Sequence, residues 1–336
     1  MPTDFSKFLS DFISKYLIAE RGLSRNTIAA YRDTFLLLLK FLRDAKKERI
    51  ERITLAKITR ETISDFLNWL QLKRKSSVST RNMRLAAIHS FFRYLQLVSL
   101  EHMHESQRIL SIKFKKCQAE RFQYLTIEGI KLLLKQPDLT TKKGRRDLSL
   151  LSLMYSLGAR VQEMIDLTPA MLQLGKPPIA IISGKGRKKR TVPLQNDQVD
   201  LLKKYLKENC FDQPHVDDQP LFQNYRKEKF TRAGINFILQ KYSDTARKEN
   251  PALIPEKISC HCLRHSRAMH LLQAGMQLVY IRDILGHVSV KTTEIYARVD
   301  TKQKREALEK AYIKVNPNEL PAWESDKGLI TWLKTF

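Results

Sequence analysis

Apolar residues recur every three or four positions along most of this chain, the spacing that gathers them on one face of an α-helix. Phe5, Phe8, Leu9, Phe12, Ile13, Tyr16 and Leu17 form the first stripe and predict a helix over 4–20. LSRNTIAAYRDTFLLLLKFLRDAKK predicts a second, capped by Ser24, whose hydroxyl can accept from a free first-turn N–H. A third is expected over 60–73, and a fourth through STRNMRLAAIHSFFRYLQLV, capped by Ser79 or Thr80. Four amphipathic helices can bury a small core together. Their exposed faces are expected to carry Arg25, Arg32, Lys73, Arg74, Lys75, Arg81 and Arg84.

The periodicity then weakens. SQRILSIKFKKCQAERFQYLT, beginning at Ser106, is basic and only weakly periodic, and reads as a linker. Helical spacing resumes at 127–135, 145–157, 196–208, 231–249, 261–275, 278–285 and 302–311. Between these, IAIIS and RTVPL read as two strands joined by GKGRKK. The expected fold is mainly α with a small β-hairpin or sheet. It comprises a helical domain over 1–105, a basic linker over 106–123 and an α+β domain over 124–316. Residues 317–336 predict one short amphipathic helix after a proline-containing leash, with Trp323, Leu329, Ile330 and Trp332 as its apolar side. Such a helix seldom folds without a groove to lie in.

Composition narrows the class. The 336 residues are 43% hydrophobic and 28% charged, as in a soluble globular protein. Lys40 interrupts the nearest approach to a membrane span, and the N-terminus lacks a basic region followed by an apolar one. A cytoplasmic protein without a membrane partner is expected. Four cysteines, Cys117, Cys210, Cys260 and Cys262, are too sparse for a disulfide framework. The formal charge of +25 exceeds what solubility needs. Basic residues run from Lys7 to Lys334 instead of gathering in one tail, which favours nucleic acid over an anionic membrane.

Candidate chemistry centres on HCLRHSRAMHLLQAG, which brings His261, Arg264 and His265 close together at the start of one helix. A zinc site would use His261 and His265. A zinc-peptidase helix, however, places Glu after the first histidine, where Cys262 stands, and Arg264 would set a permanent cation beside the metal. A phosphate site fits better: arginine offers a rigid fork of donors, and histidine donates or moves a proton. SLGARVQEMIDL sets Arg160 just after a glycine–alanine break, as a site residue or a surface ion pair. SGKGRKKRTVPL is a basic hairpin with Lys185 between two glycines, followed by Arg187 and Lys188. It is not a Walker loop, because no Ser or Thr opening a helix follows the lysine. ILGHVSVKTTEIYARV places His287 after a Leu-Gly helix end and Tyr296 shortly beyond. Taken singly, each segment also fits an ordinary structural role.

Taken in order, they resemble the tyrosine recombinase (phage integrase) family, of the simple Xer-like or mobile-element type. That family has a basic GLR-type segment, a β-hairpin lysine, a His-x-x-Arg helix, a Leu-Gly-His turn and a final tyrosine. Here these are Arg160, Lys185, His261 with Arg264, His287 and Tyr296. The resemblance covers the chain except the tail after about residue 316. Ala159 and the cysteines of SCHCLRH depart from the commoner residues without removing an essential one. It implies a SAM-like core-binding domain over 1–105 and a catalytic domain over 124–316. The implied enzyme needs no metal or cofactor, and cuts and rejoins DNA through a 3′-phosphotyrosine on Tyr296. Arg160, Arg264 and His287 would then hold the phosphate, and Lys185 would protonate the leaving 5′-oxygen. His261 would serve as general base or acid near Tyr296, with Glu163 orienting Arg160.

Arg25, Arg81, Arg84, Arg187 and Lys188 are the candidate DNA contacts. The implied partner is duplex DNA with inverted-repeat core sites, bound by a dimer on one site and a homo-tetramer on two. The tail would dock on the neighbouring protomer; an accessory recombinase or a DNA-bending protein is an option beyond these. The chain reaches the core-binding helices almost at once, leaving no room for an arm-binding domain. That leaves the simple recombinases, among which the basic charge and extended tail favour the integrase or transposase of a mobile element. The alternatives are an Xer-like chromosome or plasmid dimer resolvase and, from another class, a non-catalytic DNA-binding protein.

Overall fold

A threonine or serine opens seven of the helices by accepting from the N–H three residues on: Thr3, Ser24, Thr59, Ser77, Thr126, Thr141 and Thr231. Each satisfies a donor that the first helical turn leaves unpaired. The computed structural model describes residues 2–117, 123–184, 188–211, 217–287, 289–294, 296 and 334. The chain divides into two units, Met1–Glu120 and Arg121–Phe336.

The first unit contains α1 (Asp4–Asp11), a π-helical segment (Phe12–Glu20), α2 (Arg25–Lys46), α3 (Arg60–Leu72), α4 (Val78–Val98) and α5 (Met103–Leu110). The helix expected over 4–20 changes pitch at Phe12. Phe12 and Leu17 are five residues apart and both fully buried, and the wider i→i+5 pitch puts them on one face. Phe35, Phe91 and Tyr94 surround the Phe12 ring. α4 starts at Val78 under Ser77, ahead of the expected Ser79 or Thr80 cap.

Two expectations for this unit are corrected. Arg81 is buried, because the i, i+4, i+7 spacing that turns Leu85 and Ile88 inward carries Arg81 with them. Its Nη1 donates to the Lys113 carbonyl at 3.2 Å. The basic linker does not begin at Ser106. Ser106 and Ile109 lie on the buried face of α5, and Asn82 then holds Lys115 through Nδ2 to its carbonyl and Oδ1 from its N–H.

The second unit contains α6 (Ile127–Lys135), α7 (Lys142–Leu157), α8 (Val161–Ile165), β1 (Leu172–Gln173), β2 (Ile179–Ser183), β3 (Lys189–Pro193), α9 (Asn196–Glu208), α10 (Arg232–Glu249), α11 (Cys260–Gln273) and α12 (Leu278–Leu285). Its core runs along α7, whose Leu150, Leu151, Leu153, Met154 and Leu157 are fully buried between α9 and α11. The sheet is antiparallel in the order β1-β2-β3, with Ala180 opposite Val192 and Ile182 opposite Arg190. Ala180, Ile182 and Val192 point into the core, as strand alternation requires. β1 has two residues, too few for a periodic signal. The helix expected over 302–311 and, apart from residue 334, the tail over 317–336, with Trp323, Leu329, Ile330 and Trp332, lie outside the described residues.

Candidate functional site

α12 ends at Gly286, whose φ of 65° lies in the left-handed region that glycine enters without strain. The chain turns away there and leaves the last carbonyls without helical donors. Three arginines from three elements take them in succession. Arg190 Nε on β3 donates to Ile284 O at 2.7 Å, Arg264 Nη2 on α11 to Leu285 O at 2.6 Å, and Arg160 Nη2 to Gly286 O at 3.3 Å. Fixed cations at the negative end of a helix dipole are favourable. Their cost is mutual repulsion, and an acidic side chain offsets it.

That side chain is Glu163. Arg160 is the N-cap residue of α8, and its backbone N–H donates to Glu163 Oε2 at 2.8 Å. Arg160 Nη1 donates to Oε1 at 2.7 Å, and Arg190 Nη2 to Oε2 at 2.7 Å. The carboxylate side chain is 5% exposed. Burial pushes its pKa up, but Arg190 and Arg160 outweigh burial and hold it below the ordinary value. Arg264 is buried as well. Its Nη1 donates to Gly158 O at 2.7 Å, and burial brings its pKa down to about 10. Of the three guanidinium groups Arg160 is the most open, its side chain 36% exposed against 10% for Arg190.

Tyr296 lies in the same region of the unit. It is 1% exposed and packs with Met269, Leu272, Ile281 and Leu285. Its ring stacks on His287 at 6.5 Å between centroids. His265 Nδ1 lies 3.0 Å from the phenolic oxygen, and His287 Nδ1 lies 2.9 Å from Thr293 Oγ1. Burial first, then neighbouring His261 and Arg264, push His265 down to about 4. Burial and the three arginines push His287 down to about 4. Both imidazoles are therefore neutral near pH 7, and a neutral ring can accept a phenolic proton. Burial raises the Tyr296 pKa, with Arg264 and Arg160 opposing it.

Of the residues singled out in the sequence, Arg160, Glu163, Arg264, His287 and Tyr296 belong to this neighbourhood. His261 opens α11 on the exposed side, its ring 6.3 Å from that of His265. Tyr296 thus bonds to His265, a residue of the sequence's His–Arg–His cluster to which the family resemblance assigns no role. Lys185 and Arg187 lie outside the described residues, and Lys188 is exposed. Arg25 is exposed in the first unit, whereas half-buried Arg84 donates through Nη1 to Ala30 O at 2.9 Å and Thr34 Oγ1 at 3.1 Å. Arg190 was missed, yet a signal was present: two residues before Val192, it shares that residue's inward face. Among the described residues, no three His, Cys, Asp or Glu side chains converge to hold a metal ion. Nor, among them, is any helix long and apolar enough to cross a membrane.

Comparison with known proteins identifies the family. The phage integrase family matches residues 123–303, and the phage integrase N-terminal SAM-like domain matches residues 11–97. The y4rC protein of Sinorhizobium fredii, whose assignment as an integrase/recombinase is itself inferred, is 36% identical over 303 residues, covering 90% of each chain. The tyrosine recombinase XerD of Listeria monocytogenes is 31% identical over 299 residues, covering 87% of this chain and 93% of its own. Among solved structures, the XerH site-specific recombinase bound to difH substrate in a pre-cleavage complex aligns with a TM-score of 0.65 at 25% identity. That alignment covers 85% of this chain and 79% of XerH. The chain belongs to the phage integrase family of tyrosine recombinases, enzymes of site-specific DNA recombination.

Proposed function

We propose that this enzyme is the integrase or transposase of a mobile genetic element, and that Tyr296 is its nucleophile. The observation that carries the chemical part is the placing of Tyr296 Oη on neutral His265, in one neighbourhood with Arg160, Arg264 and His287. Similarity to y4rC, whose assignment as an integrase/recombinase is inferred, supports the integrase reading. Similarity to XerD over 87% of the chain supports a second reading, an Xer-like resolvase of chromosome or plasmid dimers.

In the proposed reaction the phenol of Tyr296 attacks phosphorus and its proton passes to a histidine, with His261 and His265 the candidates. The P–O5′ bond breaks, Lys185 protonates the departing 5′-oxygen, and a 3′-phosphotyrosine remains. A 5′-hydroxyl from the partner duplex then attacks that phosphorus and expels the phenol. The bond's energy is kept, because phenoxide leaves more readily than alkoxide. Arg160, Arg264 and His287 donate to the non-bridging oxygens, where charge grows in the transition state. A tyrosine at 1% exposure cannot touch a phosphodiester, so the phenol must be uncovered when DNA binds.

DNA is proposed to be held as inverted-repeat core sites by a cytoplasmic enzyme, a dimer on one site and a homo-tetramer on two. The tail over 317–336, with Trp323, Leu329, Ile330 and Trp332, is proposed to dock in trans. Arg25, Arg187 and Lys188 remain candidate phosphate contacts.

The test is covalent capture. Nicked suicide duplexes from both ends of the locus are incubated with wild type and with Tyr296→Phe, in the presence of chelator. An SDS-resistant adduct with wild type alone is expected. An adduct that persists in Tyr296→Phe would mean another nucleophile, and DNA binding without any adduct on these duplexes would favour the non-catalytic binder.

A further inference from the structure

We propose that Arg190 is a positioning residue of the strand-transfer site, fixing Arg160 and the His287 turn in place through Glu163 and Ile284. This rests on the assignment of Tyr296 and its arginines above.

Glu163 Oε2 accepts from Arg190 Nη2 and from the Arg160 backbone, while Oε1 accepts from Arg160 Nη1. One buried carboxylate is thus shared by two guanidinium groups. Remove Arg190, and the whole charge of Glu163 falls on Arg160. An uncompensated buried carboxylate would hold that guanidinium as its own counterion and draw it off an incoming phosphate. The exposures fit this division: Arg190 faces inward and balances charge, and Arg160 keeps an open side for the substrate.

Shape adds a second reason. Arg190 Nε holds Ile284 O, and a Cβ on Gly286 would meet Arg190 Cδ at 2.9 Å and Nη1 at 3.0 Å. The Arg190 side chain therefore lies directly beneath the turn that presents His287. Arg190 also pairs across the sheet with Ile182, next to the hairpin base, where the Gly184 N–H donates to Lys188 O at 2.8 Å. One side chain thus ties the base of the GKGRKK hairpin, which bears Lys185, to Arg160 and to the end of α12. Lysine could not replace it, because a single ammonium lacks the fork that reaches carbonyl and carboxylate together.

The experiment is single-turnover adduct formation by the full-length enzyme at saturating protein, on the suicide duplex. The variants are Arg190→Lys, Arg190→Met, Glu163→Gln and the double Arg190→Met with Glu163→Gln. Arg190→Met should slow adduct formation about 100-fold, as expected for a misplaced site, with the Kd for DNA within about threefold of wild type. Arg190→Lys should recover little of the rate. The double variant should regain about tenfold, because a neutral amide no longer captures Arg160. A merely structural role predicts instead a loss proportional to the unfolded fraction, shared by DNA binding and not recovered in the double variant; that result would overturn the proposal. So would a wild-type rate in Arg190→Met. If Arg190→Met does not fold, the double variant set against Glu163→Gln alone decides, since neither buries an unpaired carboxylate: a rate about tenfold below that of Glu163→Gln supports the role, and an equal rate refutes it. Absence of adduct in wild type itself would instead defeat the site assignment, and this proposal with it.

Discussion

The phenolic oxygen of Tyr296 lies 3.0 Å from Nδ1 of His265, and the tyrosine is 1% exposed. This hydrogen bond separates two effects of Tyr296→Phe. The substitution should abolish the covalent adduct, since no oxygen remains to attack phosphorus. It should lower stability by only about 1 kcal/mol, the net worth of one hydrogen bond, because the ring still fills its place against His287. Denaturant unfolding and the capture assay on the same preparation check both expectations.

Acid should weaken the fold through the same histidines. His265 and His287 have folded-state pKa values pushed from 6.5 down to about 4. Between these values the unfolded chain binds more protons than the folded one, so stability rises with pH across the window and is lost as pH falls from 6.5 towards 4. Each histidine should contribute on the order of 2–3 kcal/mol to that loss. Urea midpoints at half-unit pH steps would show it. Replacing both histidines with Asn should flatten the curve; an unchanged slope would mean that the two rings do not titrate as described.

Gly286→Ala tests the turn. A φ of 65° disfavours any Cβ, and here the new methyl would also press on Arg190 Cδ at 2.9 Å. The combined loss should be about 1–3 kcal/mol in unfolding free energy. Adduct formation should fall further than stability explains, since Arg190 and His287 move together. A variant with wild-type cleavage would show that the turn tolerates displacement.

Most helices were legible because each carries its own inward stripe. The expected spans 127–135, 196–208 and 278–285 coincide with α6, α9 and α12. Charge misled the reading at Arg81, where the period of Leu85 and Ile88 pointed inward and the residue type suggested solvent. Local motifs named most of the side chains in the site cluster. Their meeting point was not legible: Arg160, Arg190 and Arg264 reach α12 from 126, 94 and 21 residues away. No local pattern specifies three guanidinium groups on three successive carbonyls. His265 was visible as a polar residue one turn beyond His261, but its partner lies 31 residues on.

Deleting residues 318–336 tests the tail. Docking in trans predicts that the truncated enzyme still binds a single core site but assembles poorly on two, with recombination lost and single-site adduct retained. Analytical ultracentrifugation of the DNA complexes reads the assembly directly. Unchanged recombination by the truncated chain would remove the tail from assembly.

DNA binding should distinguish the arginines of the first unit. Arg25 is exposed at the start of α2, free to meet a phosphate, whereas Arg84 uses Nη1 on Ala30 O and Thr34 Oγ1 and ties α4 to α2. If Arg25 neutralises one phosphate, Arg25→Ala should weaken binding and make the slope of log K against log salt shallower by about 1. Arg84→Met should leave that slope unchanged and lower stability by about 1–2 kcal/mol, because the two half-buried hydrogen bonds that tie α4 to α2 are lost. Fluorescence anisotropy across a salt series, paired with urea unfolding, measures both quantities. The reverse pattern, a slope change for Arg84 and none for Arg25, would mean that the α2–α4 contact opens on DNA and that Arg84 turns outward to the backbone.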